Sequence, residues 1–258
     1  MKLNNPLDPL ITCEKKNRAL VIQGGGMRGI YSAGAMTALA ELGLADSFSH
    51  IYASSSGAIN GAYLIAGQTH LITSGYSQYL NRESPFIRYW RLTKIVDIDY
   101  LVEKVLMHSR FPLDVKTVIE SSTTLHVLLT EFKTAKSVEI DSKAIKAKDH
   151  SGHLLYEVLR ATSALPLFYG RVIKINGVGY VDGGITDAIP LMRAIQSGCT
   201  DITVITTRSP MFRRNKKTGF NRIMGLVALI SHPVALRKAL LNEDILFNKT
   251  MKRLHSYG

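Results

Sequence analysis

Short apolar runs alternate along the chain with longer segments of helical period. "ALVIQ" (19–23) is an unbroken apolar run of strand length. "IYSAGAMTALAEL" (30–42) then carries small and apolar residues up to Gly43, as a helix packed on a sheet would. The unit repeats, with "HIYAS" (50–54) as a strand and "GAINGAYLIAG" (57–67) as a helix. Further on, "DIDYLVEKVLM" (97–107) reads as an amphipathic helix, and "LHVLLTEF" (125–132) and "KSVEID" (136–141) as paired strands. "LLYEVLRATSA" (154–164) reads as a helix and "DITVITT" (201–207) as a last strand. Asn176-Gly177 stands between "RVIKI" and "VGYVD", a hairpin signal.

Alternation of this kind predicts an α/β protein, a layered and partly parallel sheet with helices on both faces. No internal repeat or low-complexity linker marks a boundary. The expected organisation is one domain over 14–207, with 208–258 as a basic helical extension packed on it.

Composition narrows the class. The 258 residues are 46% hydrophobic and 20% charged, enough to bury a full core and unlike a disordered chain. Cys13 and Cys199 sit in no paired motif, which argues for a reducing compartment and against a disulfide scaffold or zinc ribbon. The start, "MKLNNPLDPLITCEKK", has no apolar stretch of a signal peptide. No run reaches the roughly 18 apolar residues that cross a bilayer; the nearest, "IMGLVALISHPVAL" (223–236), is broken by Ser231, His232 and Pro233. A soluble, cytoplasmic protein is expected, with peripheral membrane contact allowed by its charge. The net charge of +12 gathers in "RRNKK" (213–217), at Lys143, Lys146 and Lys148, and in "KTMKR" (249–253). Such clusters are either solvated faces or a surface for a polyanion. No nucleic-acid motif with interleaved aromatics accompanies them, so no nucleic-acid partner is expected.

Three segments carry chemistry. The first, Gly24-x-Gly26-x-x-Gly29, follows a strand and opens a helix, which spells a dinucleotide-binding turn. A loop of exposed backbone amides would equally hold an oxyanion. The second, "YASSSGAING" (52–61), puts serines at a strand-to-helix turn. That is the geometry of a nucleophile elbow, but a serine run also suits an ordinary helix N-cap, and the residues alone leave both readings standing. Among Ser54, Ser55 and Ser56, the spacing to Gly57 selects Ser55. Ala53 stands where G-x-S-x-G has its first glycine, one methyl more at a strand–helix contact. The third, "GYVDGGITDAIP" (179–190), ends a short apolar strand on Asp182. Asp-Gly is a common turn pair, while a carboxylate at a sheet's C-terminal edge is placed to act as a base.

The dinucleotide reading makes a prediction that the sequence fails. An acid is needed roughly 20 residues past the glycines, at the end of the second strand. That position reads "ASSSG", and Glu41 and Asp46 fall earlier. The Gly-Lys-Ser/Thr of a P-loop is also missing.

The set "GGGMRG" (24–29), "ASSSG" (53–57), "RATSALPLFYG" (160–170) and "DGG" (182–184), in this order and context, resembles the patatin-like phospholipases. The resemblance runs from about residue 19 to 207. It implies a three-layer α/β/α fold with a mostly parallel central sheet, and a serine acyl hydrolase of the phospholipase A or lysophospholipase type. Ser55 would be the nucleophile and Asp182 its partner in a dyad. The loop Gly24, Gly25, Gly26, Met27, Arg28, Gly29 would be the oxyanion hole, with Gly25 and Gly26 the foremost donors. Ala53, Gly57, Gly183 and Gly184 would support the two turns. Arg28 stands at the family's basic position, to hold the loop or meet a phosphate. The implied substrate is a phospholipid or other acyl-ester lipid, with contact to an anionic membrane surface and no cofactor. "TDAIP" (186–190) departs from the Asn-Asn that many members carry before Pro, which leaves Asp187 as a rival acid. A dyad needs no histidine, and those at 50, 70, 108, 126, 150, 153, 232 and 255 share no motif. Only His232 and His255 follow the acid far enough along to serve an ordinary α/β-hydrolase triad. No His/Cys/acid set has metal spacing, so no catalytic metal is expected. Two further readings stand beside this one: a nucleotide-dependent enzyme using the literal glycine spelling, and a non-catalytic lipid-binding module suggested by Ala53.

Overall fold

In the computed structural model, which describes residues 18–77, 95–109, 112–215 and 230–257, strand β1 (Arg18–Ile22) is buried along its whole length. Its side chains alternate between two cores, as strand geometry requires. Leu20 and Ile22 join the larger one, while Ala19 and Val21 join a second with Tyr52, Ala194, Phe247 and Met251. A strand buried on both faces sits at the centre of a layered α/β fold.

The chain continues through α1 (Gly29–Glu41), β2 (His50–Ser54), α2 (Ser56–Ile65), α3 (Thr69–Ser74), α4 (Val115–Glu120), β3 (Thr124–Glu131), β4 (Ser137–Asp141) and α5 (Ser142–Lys148). Then come α6 (His153–Thr162), α7 (Pro166–Tyr169), β5 (Ile173–Ile175), β6 (Val178–Asp182), α8 (Leu191–Gln196), β7 (Asp201–Ile205) and α9 (Val234–Tyr257). The expected strands and helices are present, and the β5–β6 turn puts Asn176 at φ 50° and Gly177 at φ 80°, the doubly positive pair of a type I′ turn. The helix expected over 97–107 is wound differently: Tyr100–Met107 forms a π-helix, with Leu101, Val102, Val105 and Leu106 buried. Strand β7 ends at Ile205, two residues before the apolar run does.

Strands β7, β1, β2 and β3 form the parallel centre of the sheet, and β4, β5 and β6 join it antiparallel. The register at β3 positions the site. Strand β2 pairs with Thr124–Leu128 and stops at Ser54, β4 runs along His126–Thr130, and β6 pairs with Leu129–Glu131. Since β4 overlaps both, β2 and β6 must share the opposite edge of β3. Ser54 lies opposite Leu128 and Asp182 opposite Leu129. Two strands of opposite direction therefore meet end to end, β2 ending one residue before Ser55 and β6 ending on Asp182.

Helices cover both faces. Met36 of α1, Ala58 and Ala62 of α2 and Val158 and Leu159 of α6 pack in the larger core; Ala194 of α8 and Phe247 and Met251 of α9 pack in the second. Leu236 and Leu240 of α9 bury against Val181 and Ile185, directly behind Asp182. No helix among the described residues is long and apolar enough to cross a membrane. Of the apolar run 223–236, only 230–236 falls within the described residues.

Candidate active site

The turn after β2 places Ser55 at φ 52° and ψ −134°, a conformation costly for any residue with a Cβ. Its surroundings fix it there. Ser55 N–H donates to Thr162 Oγ1 at 2.9 Å, and Thr162 Oγ1 donates to Leu128 O at 2.6 Å. Gly57 brings α2 hard against β1: a Cβ there would stand 2.7 Å from Ile22 O and 3.0 Å from Gln23 O. The extra methyl of Ala53, by contrast, is fully buried in the larger core.

The three serines separate cleanly. Ser54 Oγ is buried without a hydrogen-bond partner among the described residues, and Ser56 Oγ accepts from Gly25 N–H at 3.0 Å. Ser55 Oγ donates to Asp182 Oδ2 at 2.8 Å. Although Ser55 occupies the N-cap position of α2, its side chain makes no cap hydrogen bond, so the capping reading does not describe it.

Asp182 is 2% exposed. Its Oδ1 accepts from Gly184 N–H at 2.7 Å, and its backbone is tied to Ala164 O through N–H and to Thr130 Oγ1 through its carbonyl, at 3.0 and 2.9 Å. Gly183 is demanded by contact, because a Cβ there would overlap Leu128 O. Burial pushes the Asp182 carboxyl up to about 7, against the hydrogen bonds from Ser55 and Gly184 that favour the anion. The rival Asp187 faces Arg193 at 3.9 Å, and burial lifts it to about 6; it does not contact Ser55. His232 is half-buried beside Phe132 and His255 is exposed, and neither is bonded to Ser55 or Asp182.

The glycine loop packs edge-on against this turn. A Cβ on Gly24 would meet Ser54 O at 2.8 Å, and one on Gly25 would meet Thr207 Oγ1 at 2.7 Å. Gly26 takes the left-handed region at φ 57°, where glycine is unstrained. Because Gly25 N–H is engaged by Ser56, the loop amides without an acceptor among the described residues are those of Gly26 and Met27, at the start of a short 3₁₀ turn, Gly26–Arg28. Asn60 Nδ2 fastens the end of the loop by donating to Gly29 O at 2.8 Å.

Ser55, Asp182, Gly184 and the loop from Gly24 to Arg28 line one cavity of about 550 Å³. Its apolar wall comes from Ile59 and Tyr63 of α2, Leu71 and Ile72 of α3, and Leu101 and Val105 of the π-helix. Sequence reasoning passed over three positioning residues: Thr162, Asn60 and Thr207. Thr207 turns off the end of β7 to donate from N–H to Gln23 Oε1 at 3.0 Å and from Oγ1 to Gly24 O at 3.3 Å. Thr162 lies inside "RATSALPLFYG", a segment visible in the sequence with no role attached.

The uncharacterized protein YjjU of Escherichia coli (strain K12) is 29% identical over 231 residues, which cover 83% of this chain and 60% of the relative, so the chain spans about three fifths of that relative's length. Among solved structures, VipD from Legionella pneumophila aligns with a TM-score of 0.43 at 15% identity, over 66% of this chain and 46% of that one. A family model described as patatin-like phospholipase matches residues 20–195, from β1 through α8, which spans the glycine loop, Ser55 and Asp182. With more than half of its length matched, the chain belongs to the patatin-like phospholipase family.

Proposed function

We propose that the chain hydrolyses fatty-acyl esters of lipids, in the manner of a phospholipase A or lysophospholipase, with Ser55 as nucleophile and Asp182 as its base. The observation that carries the reading is the 2.8 Å hydrogen bond from Ser55 Oγ to a buried carboxylate, made by a serine on a strained turn at the wall of an apolar cavity. A carboxyl poised at about 7 is matched to proton transfer near neutral pH.

Asp182 takes the hydroxyl proton as Ser55 Oγ attacks the ester carbonyl. The negative charge that develops on the carbonyl oxygen is held by the free amides of Gly26 and Met27, aided by the N-terminus of α2. Collapse breaks the bond to the alcohol, which leaves with the proton from Asp182, and Ser55 keeps the acyl group. Water, deprotonated by Asp182, then attacks the acyl-enzyme and releases the fatty acid, with the proton returned to Ser55. The acyl chain lies along the apolar wall of α2, α3 and the π-helix. Phe168 lines the same cavity, and it and Leu167 remain exposed, apolar contacts suited to a lipid surface.

The test is turnover of fluorogenic acyl esters by wild type, Ser54→Ala, Ser55→Ala and Asp182→Asn. Loss of about a thousandfold or more in Ser55→Ala and Asp182→Asn, with Ser54→Ala near wild type, supports the reading. Full activity in Ser55→Ala overturns it.

A further inference from the structure

Among the described residues, the cavity is charged on one side only. Its apolar wall is built by α2, α3 and the π-helix, whereas Arg28, Gly184, Arg214 and Glu243 come from the glycine loop, the turn after Asp182, the segment after β7 and α9. Arg28 Nε is buried with no hydrogen-bond partner among the described residues. Its guanidinium feels Arg208 and Arg214, and burial together with these two like charges lowers its pKa. Arg28 and Arg214 line the cavity and Arg208 lies near enough to repel Arg28; Glu243 offsets one of the three charges, and the remaining repulsion is relieved when a further anion joins them.

Arg208 and Arg214 are held in a way that leaves them available. The Arg208 guanidinium lies 4.0 Å over the Phe212 ring and that of Arg214 lies 4.5 Å over Phe247. The two rings meet edge to face at 6.1 Å. Stacking fixes a guanidinium plane without neutralising it and leaves its edge N–H groups able to donate. Arg214 has one acid beside it, Glu243 at 3.4 Å. The other acid lining the cavity is Asp182, engaged by Ser55 and Gly184. Among the described residues, neither lining carboxylate is open to receive a head-group ammonium.

We propose that Arg28, Arg208 and Arg214 form a subsite for a phosphate of net negative charge on the alcohol side of the scissile ester. On the acyl-hydrolase reading above, the preferred substrate is then a phosphomonoester or other anionic phospholipid. A zwitterionic phosphocholine or a neutral glyceride is disfavoured, because it brings no net charge to balance the positive excess that Glu243 leaves uncompensated. Arg208 and Arg214 lie beyond the residues that the family model matches, 20–195, so this selectivity belongs to the chain's own C-terminal segment rather than to the shared site.

The experiment is calorimetry on the full chain carrying Ser55→Ala, which binds without turnover. The probes share one acyl chain: octanoyl glycerol phosphate, octanoyl glycerol phosphocholine and octanoyl glycerol, all below micellar concentration, with glycerol phosphate and inorganic phosphate alone as further arms. The phosphate ligand should bind about tenfold or more tightly than the other two acylated probes. Arg208→Gln and Arg214→Gln should each lower the ratio of phosphate to neutral affinity by about tenfold, the scale of one charge-assisted contact. Equal affinity for the three acylated probes overturns the proposal. So does a parallel loss for all three in the arginine variants, which marks a structural role. Binding of inorganic phosphate as tight as that of the acylated phosphate overturns the lipid head-group assignment in favour of a free-anion site. If wild type cleaves none of these esters while the Ser55→Ala protein keeps the preference, the hydrolase reading fails and the subsite stands.

Discussion

Asp182→Asn should abolish turnover and stabilise the fold in alkaline solution. The carboxyl is buried and lifted from 3.8 to about 7, a shift of about three units, or about 4 kcal/mol at 1.36 kcal/mol per unit. Below about pH 4 the group is neutral in folded and unfolded chains alike and carries no penalty. Between about pH 4 and 7 the folded chain holds the proton that the unfolded chain has released, so stability falls as pH rises, and above about 7 the full penalty is reached. Asparagine removes the charge but weakens the hydrogen bonds from Ser55 and Gly184, which returns roughly half of the gain. The net is about 2 kcal/mol at pH 8, or about 4–8 °C in Tm for a chain of this size. At about pH 5 the wild-type penalty is roughly a third of its full value, no larger than the loss from the weakened hydrogen bonds, so the difference between the two proteins should vanish there or change sign. Thermal melts of both proteins across this range, followed by circular dichroism, measure it. An Asp182→Asn protein that melts at or below wild type at pH 8, or a gap that does not close toward pH 5, would refute the picture of a buried carboxylate held at a cost for catalysis.

Three further outcomes follow from the same geometry. Because Asp182 must be ionised to take the Ser55 proton, kcat/KM on an uncharged ester should rise with pH to a plateau above about 7, the value to which burial lifts it; a flat profile from about pH 5 to 8 contradicts its role as base. Gly57→Ala drives a methyl to 2.7 Å from Ile22 O, and overpacking against backbone should cost about 2 kcal/mol, read as a denaturant midpoint shift without a change in slope. Arg160 is buried and holds Asp99 at 2.5 Å and Glu103 at 3.2 Å, tying α6 to the π-helix; Arg160→Met should cost roughly 2 kcal/mol and raise amide exchange across 95–109, and unchanged exchange there would count against this bracing.

The features legible in the sequence are those encoded by local backbone demands. Gly57 and Gly183 are required by contacts with main-chain oxygens, Gly26, Asn176 and Gly177 by positive φ, and the Ser55 elbow by the strand-to-helix turn itself. These write themselves into short motifs, and so the strands and turns could be named from residues alone, whereas the pairing of Ser55 with Asp182 came only as what the family resemblance implied. What stayed hidden depends on contacts between distant segments. The shared edge of β3 that brings Ser54 and Asp182 end to end is a matter of register. Thr162 reaches Ser55 N–H across 107 residues. The loop amides could not be ranked because the acceptor that occupies Gly25 N–H is a serine 31 residues away. The stacking of Arg208 and Arg214 on Phe212 and Phe247 leaves no motif, since neither spacing nor residue type sets it apart from solvated charge.

Labelling with a fluorophosphonate, followed by mass spectrometry of the modified peptide, tests the central claim most directly, because the reagent reports on an activated serine whatever the natural ester. The account predicts a single adduct on Ser55, absent in Ser55→Ala and strongly slowed in Asp182→Asn, with Ser54 and Ser56 unmodified. An adduct on another serine, or a Ser55→Ala protein that still labels and still cleaves acyl esters, would contradict it.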